Sequence, residues 1–399
     1  MSQSAQLQTQ LNRYQKLALM VGVAALGLCG VGLTLNKAQF FQSYLFGYLF
    51  WFGITIGCFS VVALHHLVGG GWGFVIQRIL EAGSRTLPLL LVLFVPLFFG
   101  MRDLYLWARP EAIVNPAGVV IDEILHQKAP YLNVTFFWIR AAVYFGVWSF
   151  FIYLLNKWSH EQDRTGYPLI TQKIEKLAGP ALAGYVLTMS FAAFDWVMSL
   201  EPHWFSTIFG VIFVVGQGLT TLAFAIISVK LLEDREPISG VIQTKHFHDL
   251  GNLMFAFVLL WAYVSFSQFF IIWSGNLPEE ITWYLHRLHG GWGVLAMVIV
   301  IFHFFIPFVL LLMRKTKQRS KVLVKIAVAM FCMRFVDLFW TVAPNFNGGK
   351  FGIHWMDILA PVGIGGIWIA LFLSQLKGRA LMPLHDPRLA EAFAASPHG

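Results

Sequence analysis

Long apolar stretches with few charged residues recur along the whole chain and limit its fold more than any other feature. A helix needs about 20 apolar residues to cross roughly 30 Å of hydrocarbon. The stretches that come close to this length are 17–35, 43–67, 86–101, 132–156, 177–199, 204–229, 249–274, 288–313, 322–343 and 355–376. Only 12% of the residues are charged and 57% are hydrophobic, whereas soluble domains carry about 25% charge. The sequence therefore predicts an all-α membrane protein with ten spans and excludes soluble, fibrous and disordered classes.

Basic residues predict the orientation of these spans. If the N-terminus is cytoplasmic, most of the lysines and arginines fall in the segments on the inner side, as the positive-inside rule requires. The net charge of +8 is thus interpreted as a sign of topology. We expect both termini in the cytoplasm, with a polar N-terminal tail at 1–16, a ten-helix membrane domain at 17–376 and a C-terminal tail at 377–399. The third stretch is short and contains Pro88 and Pro96, which predicts a kink.

Ligands for a tightly bound redox centre are missing from the sequence patterns. The three cysteines, Cys29, Cys58 and Cys332, are far apart and form no CxxC motif, so zinc, iron–sulfur and covalently attached haem have no recognisable site. A haem between two histidines needs both at the same membrane depth, and His303 has no such counterpart in another span. We expect no redox cofactor bound by this chain itself.

Two charged residues interrupt the ninth predicted span. Arg334 and Asp337 lie roughly 18 and 22 Å along it, just past mid-membrane, and their i, i+3 spacing places them on one helix face. One interpretation is a structural ion pair that locks helices together. The other is a proton-carrying carboxylate held by an arginine, since ionisable groups in spans often line a water path.

Further ionisable groups occur at several depths and could continue such a path. The candidate proton-transfer residues are Asp337, Arg334, Asp195, His303, His65, His66, His248, Asp249 and Arg140. Arg140 is expected to pair with Asp195 or Asp337. Each histidine could instead be an ordinary helix-packing group, because a lone membrane histidine is not diagnostic.

A second group of protonatable residues gathers near the predicted outer face. It contains Asp195, Glu201, His203, His286 and His289. Oxidation of a quinol releases two protons with two electrons, and a histidine–carboxylate pair is suited to accept them. These residues are therefore candidate quinol ligands, the alternative being that they are ordinary polar residues at the interface.

Several sequence stretches together resemble one known family. They are 64–73 (LHHLVGGGWG), 85–88 (RTLP), 195–210 (DWVMSLEPHWFSTIFG), 245–257 (KHFHDLGNLMFAF), 261–269 (WAYVSFSQF), 276–280 (NLPEE) and 334–337 (RFVD). In these stretches the chain resembles the ActF-type subunits of bacterial alternative complex III, which are polysulfide-reductase-type (NrfD-like) membrane proteins. The resemblance covers about residues 40–370.

The resemblance implies a place in a quinol:cytochrome c or cupredoxin oxidoreductase of the bacterial inner membrane. It implies two four-helix bundles, spans 2–5 and 6–9, flanked by helices 1 and 10. The implied partners are a larger NrfD-like sister, iron–sulfur and multi-haem cytochrome c subunits, and lipid, and haems and clusters belong to those partners. The implied role is a scaffold and a proton-translocation path, with a contribution to binding menaquinol or ubiquinol.

A secondary ion- or proton-coupled transporter is the alternative class. Such proteins often contain internal repeats and helices broken by Gly or Pro at mid-membrane. Here Gly and Pro lie mostly near the ends of the predicted spans, which favours the complex subunit.

Overall fold

The chain folds into helices joined mainly by short turns. The computed structural model describes residues 3–235, 238–346, 348, 350–383 and 385–389. These residues contain no strand and a single isolated β-bridge, Val114–Val120. The helices are α1 (Gln3–Leu35), α2 (Lys37–Val68), α3 (Gly71–Ser84), α4 (Leu87–Phe94), α5 (Met101–Leu104), α6 (Glu123–Lys128), α7 (Val134–Thr165), α8 (Pro168–Trp196), α9 (Phe209–Leu232), α10 (Thr244–Gly275), α11 (Pro278–Leu288), α12 (Gly290–Ile299), α13 (Ile306–Leu312), α14 (Arg314–Gln318), α15 (Ser320–Val342) and α16 (Met356–Lys377).

Nine helical stretches in the described ranges are long and apolar enough to cross a membrane. They are Leu7–Leu35, Lys37–Val68, Gly71–Leu104, Val134–Thr165, Pro168–Leu200, Phe209–Leu232, Thr244–Gly275, Gly290–Leu312 and Met356–Lys377. The protein thus has the all-α architecture of a multi-pass membrane protein. The remaining predicted span corresponds to α15, which carries Lys325, Arg334 and Asp337 and is not among the nine. That α15 crosses the membrane stays a prediction.

The third span begins earlier than the sequence predicts. Gly69 and Gly70 both have positive φ angles, 71° and 100°, which glycine adopts without steric cost, so α3 starts immediately after α2. Arg78, expected in a cytoplasmic loop, therefore lies inside a helix. Pro96 falls in a 3₁₀ stretch, Val95–Gly100, that interrupts this span.

Part of the predicted N-terminal tail is helical in the structure. α1 already begins at Gln3, so the described part of the polar segment 1–16 is helical. Residues 1–2 of the N-terminal tail, and residues 384 and 390–399 of the C-terminal tail, lie outside the described ranges.

Close helix contacts depend on small residues. α2 lies at the centre and packs against α3, α8, α9 and α16, while α1 runs along α16. A Cβ atom at Gly57 of α2 would lie 2.1 Å from the Oγ1 of Thr221 on α9, and one at Gly22 of α1 would lie 2.6 Å from the backbone N of Ile367. Small residues at helix contacts allow the two backbones to approach closely in a membrane.

Candidate functional site

A cavity of about 800 Å³ lies among α9, α10, α11, α12 and α15. Its walls are mainly aromatic and aliphatic, and α11 contributes Trp283, Tyr284 and Leu288. The polar side chains in its lining include Ser265, Gln268, Tyr284, Arg334, Asp337 and Thr341. The cavity therefore combines an apolar interior with a few polar groups, as ligand sites in proteins usually do.

Arg334 and Asp337 form the predicted ion pair, with Nη1 of the arginine donating to Oδ2 of the aspartate. Both residues are only 5% exposed and both line the cavity. Gly216 makes room for the guanidinium, because a Cβ atom there would lie 2.3 Å from Cζ of Arg334. The indole of Trp261 on α10 also lies against the Asp337 carboxylate. The pair thus presents its charged groups at the wall of the cavity.

His303 lies behind one wall of this cavity rather than in its lining. It is fully buried and its ring stacks on Trp261 with the centroids 4.2 Å apart. Neither ring nitrogen has a hydrogen-bond partner. The residue belongs to a π-helical stretch, Val300–Phe305, between α12 and α13, and such stretches are frequent at functional sites.

Arg140 pairs with Asp195, the first of the two predicted alternatives. Its Nε and Nη2 donate to the two carboxylate oxygens at 2.8 and 2.9 Å, and the hydroxyl of Tyr144 donates to Oδ2 at 2.7 Å. Burial, and then the charge of Asp195, raise the pKa of Tyr131 to about 12. Asp195 is 1% exposed and both of its oxygens accept hydrogen bonds from α7, so it joins α8 to α7.

The five predicted quinol ligands form separate contacts instead of one cluster. Asp195 is bound to Arg140, and His203 lies 2.7 Å from Asp122. Glu201 lies 2.9 Å from the ring of His286. His289 is exposed at the start of α12. In the described part of the chain none of the five lines the cavity, whereas Arg334 and Asp337, predicted as proton-transfer residues, both do.

Arg287 connects Glu201, one of the residues predicted at the outer face, with the edge of the cavity. Its Nη2 donates to the carbonyl of Thr341 at 2.9 Å, and its Nη1 lies 3.4 Å from Oε1 of Glu201. The same oxygen meets His286. Burial lowers the pKa of Arg287 to about 10, against the effect of the Glu201 carboxylate, so the arginine stays charged at neutral pH. These contacts form a polar route from His286 to the cavity.

A buried carboxylate on α3 was missed by the sequence reasoning. Glu81 accepts hydrogen bonds from Arg78 at 2.6 Å, Ser159 at 2.7 Å and Arg379 at 3.2 Å. It was missed because this segment was predicted as a loop. The i, i+3 spacing of Arg78 and Glu81, the same as that of Arg334 and Asp337, was the available signal.

His65, His66 and His248, which were predicted near the inner side of the membrane, make no direct contact with the other candidate proton-transfer residues in the described ranges, apart from His248 with Asp249. His65 is buried, and among the described residues neither of its ring nitrogens has a hydrogen-bond partner, while His66 lies 3.2 Å from Arg388. His248 lies 3.7 Å from Asp249. Within the described ranges, no hydrogen bond joins these residues to His303 or Asp337. The predicted proton-transfer residues therefore form separate groups, and a path between the groups would need water.

No group of three His, Cys, Asp or Glu side chains suited to a metal occurs among the described residues. No family model matches the chain, and no curated protein matches it.

Proposed function

We propose that this chain is a membrane subunit of a quinol-oxidising electron-transfer complex in the bacterial inner membrane. It acts as a scaffold and as a path for protons, as in the ActF-type subunits that its motifs resemble. A larger NrfD-like sister and iron–sulfur and multi-haem cytochrome c subunits are its partners, and they carry the haems and clusters. The motif resemblance motivates this assignment. In the proposed complex, this chain supplies protonatable side chains and no redox centre.

The observation that carries the proton path is the Arg334–Asp337 pair beside the cavity. An ionisable carboxylate inside a membrane is expensive and usually functional. Arg334 donates a hydrogen bond to Asp337 and both residues line the cavity, so a water molecule in the cavity can exchange a proton with the carboxylate while the arginine keeps it in place. The contacts from Thr341 through Arg287 and Glu201 to His286 lead outward, which supports proton exit on that side.

The same proposal includes ten spans, with α15 as the ninth, and both termini in the cytoplasm. Helix packing supports two four-helix bundles, because α2 contacts α3 and α8, while α9 contacts α10 and α15. The flanking position of the first and last spans is supported by the contact of α1 with α16.

Replacement Asp337→Asn tests the proton path in the native complex. The amide cannot carry a proton but has nearly the same size, so we expect intact assembly and fewer protons moved per electron. Glu279→Gln, an exposed carboxylate on α11 outside the cavity lining, is the matched control. An unchanged proton-to-electron ratio in Asp337→Asn would remove the proton path from the proposal.

A secondary transporter is the competing function, favoured by the ion pair at the side of a cavity. Purification from native membranes distinguishes the two. A complex with haem and iron–sulfur absorbance supports the electron-transfer subunit, whereas a lone chain that moves a solute in liposomes supports the transporter.

A further inference from the structure

We propose that the basic segment 314–325, which runs from α14 into α15, binds the phosphate headgroup of an anionic phospholipid. The segment lies on the predicted inner side of the membrane and contributes no residue to the cavity lining in the described ranges. This inference goes beyond the proposed function, because it requires neither the proton path nor the partner subunits.

The basic segment carries positive charge that the protein does not neutralise. Six of its twelve residues are basic, and residues 281–336 contain no aspartate or glutamate. In the described ranges none of the six side chains forms an ion pair. Two carboxylates at the ends of α9 and α10 are engaged elsewhere, since Glu233 pairs with Lys230 and Asp249 lies 3.7 Å from His248. The six basic residues are Arg314, Lys315, Lys317, Arg319, Lys321 and Lys325.

Lys317 is the buried member of this group. It is 7% exposed, and its stem packs on α10 at Gly251, where a Cβ atom would lie 2.9 Å from Cγ of the lysine. Its Nζ lies 5.4 Å from the centre of the Phe255 ring. Burial lowers the pKa of Lys317, as expected for an ammonium group without a counter-charge. Because a buried charge is unfavourable unless it is paired, a phosphate beside Lys317 would supply what the chain lacks.

Exposed apolar side chains flank the basic segment on both sides. Leu312 and Met313 precede it and Val328 follows it. On α15 the exposed Lys321 and Lys325 share one helix face with Val328, because their spacing is i, i+4 and i+7. α14 packs against α10, α13 and α15, so both apolar flanks lie close to the same charges. A ligand with an anionic head and acyl chains fits this arrangement.

An acidic segment of another protein is the competing occupant. It would neutralise the lysines, but it does not account for the apolar side chains that continue from them. The apolar stretch Gly290–Leu312 ends directly before the basic segment, which places these charges at the depth of the lipid headgroups. Clusters of about four to eight Lys or Arg at the end of a membrane span attract anionic lipids. Charge and position together therefore favour a phospholipid.

Lipid retention by the purified full-length chain tests the site. The chain is titrated in detergent with phosphatidylglycerol and with phosphatidylcholine of the same acyl chains, and native mass spectrometry counts the bound lipids. We expect phosphatidylglycerol to be retained about tenfold more tightly than phosphatidylcholine.

Three results would overturn the proposal. The first is equal retention of the two lipids. The second is inorganic phosphate that abolishes the difference between them, which would make free phosphate the ligand. The third is zero-length crosslinking, in native membranes, of the lysines of the basic segment to carboxylates of another protein, which would assign this surface to an acidic protein partner.

A charge-matched pair of double variants separates a site from the effect of net charge. Lys321→Gln with Lys325→Gln removes two exposed charges from the basic segment, and Lys173→Gln with Lys176→Gln removes two exposed charges from α8. We expect about tenfold weaker retention of phosphatidylglycerol for the first variant only. Equal losses in the two variants would show attraction by net charge and contradict a site at 314–325.

Lys317→Met tests the buried lysine separately. Methionine fills much of the space of the lysine stem without the charge. We expect phosphatidylglycerol to raise the unfolding temperature less than it does for the native chain, with no loss of stability in phosphatidylcholine, because an unpaired buried charge has been removed. A loss of stability of the same size in both lipids would show that Lys317 serves packing alone and contradict its place in the site.

Discussion

Asp195 and Asp337 are both buried beside an arginine, yet their surroundings give them different chemistry. Asp195 accepts hydrogen bonds on both oxygens, from Arg140 and Tyr144. Asp337 accepts a hydrogen bond from Arg334 and lines the cavity. A carboxylate with both oxygens bonded to neighbouring side chains holds helices together, whereas one at a cavity wall is accessible to another molecule. These surroundings therefore favour a structural role for Asp195 and a functional role for Asp337.

The structural role of Asp195 predicts a large stability loss in Asp195→Asn. The amide leaves the Arg140 guanidinium without its counter-charge, and breaking a buried pair in this way costs about 3 kcal/mol. Tyr144→Phe removes one hydrogen bond and should cost only about 1–2 kcal/mol. Thermal unfolding in detergent measures both. Equal stability of Asp195→Asn and the native chain would show that the pair contributes little.

α11 shows how one short helix can connect two sites. It begins at Pro278, a favourable first position, with Glu279 and Glu280 in its first turn and basic residues in its last, an arrangement that suits the helix dipole. One side gives Trp283 and Tyr284 to the cavity. Its last turn places Arg287 against α15. The helix thus covers the cavity and links it to the outer residues.

The contact between α1 and α16 predicts different effects for two glycines on α1. Gly22→Leu forces a side chain into the backbone of α16, where a Cβ atom would already lie 2.6 Å from Ile367, and such overpacking costs about 1–3 kcal/mol. Gly27→Leu is the control, because no atom lies within 4 Å of its added Cβ. We expect a lower unfolding temperature for Gly22→Leu only. Equal temperatures for the two variants would show that α1 adapts to the larger side chain.

At the scale of the whole molecule, the number of membrane crossings depends on α15, because the described residues contain nine other helical stretches long and apolar enough to cross. α15 carries four charged residues, Lys321, Lys325, Arg334 and Asp337, and the last two neutralise each other. Pairing reduces the cost of placing charges in a membrane, so α15 can cross beside its neighbours. Arg78 was predicted in a loop but lies in α3, where it is likewise paired with Glu81.

Reporter fusions test the ten-span topology. With α15 in the membrane, reporters at the N- and C-termini should both be active in the cytoplasm. A reporter inserted at Lys350, between α15 and α16, should be active on the outer side. A C-terminal reporter on the opposite side from the N-terminal one would mean nine crossings and contradict the proposed orientation.

The candidate site was predictable only where its residues are close in sequence. Arg334 and Asp337 were found because their i, i+3 spacing places them on one helix face. Gln268, Tyr284 and Thr341 were not selected, since a neutral polar residue near an apolar run is unremarkable until other helices surround it. Glu81 was missed for a different reason, because Gly69 and Gly70 allow a helix to begin where a loop was expected.

The sequence by itself determined that the chain is helical and spans a membrane several times. In lipid each segment must satisfy its own backbone hydrogen bonds, so the length of an apolar run is enough to predict a helix. Tertiary structure alone decided that Arg140 binds Asp195, that the histidines predicted at the outer face make separate contacts, and that five helices line a cavity beside Asp337. Those outcomes depend on contacts between residues far apart in the chain, which packing of the helices brings together.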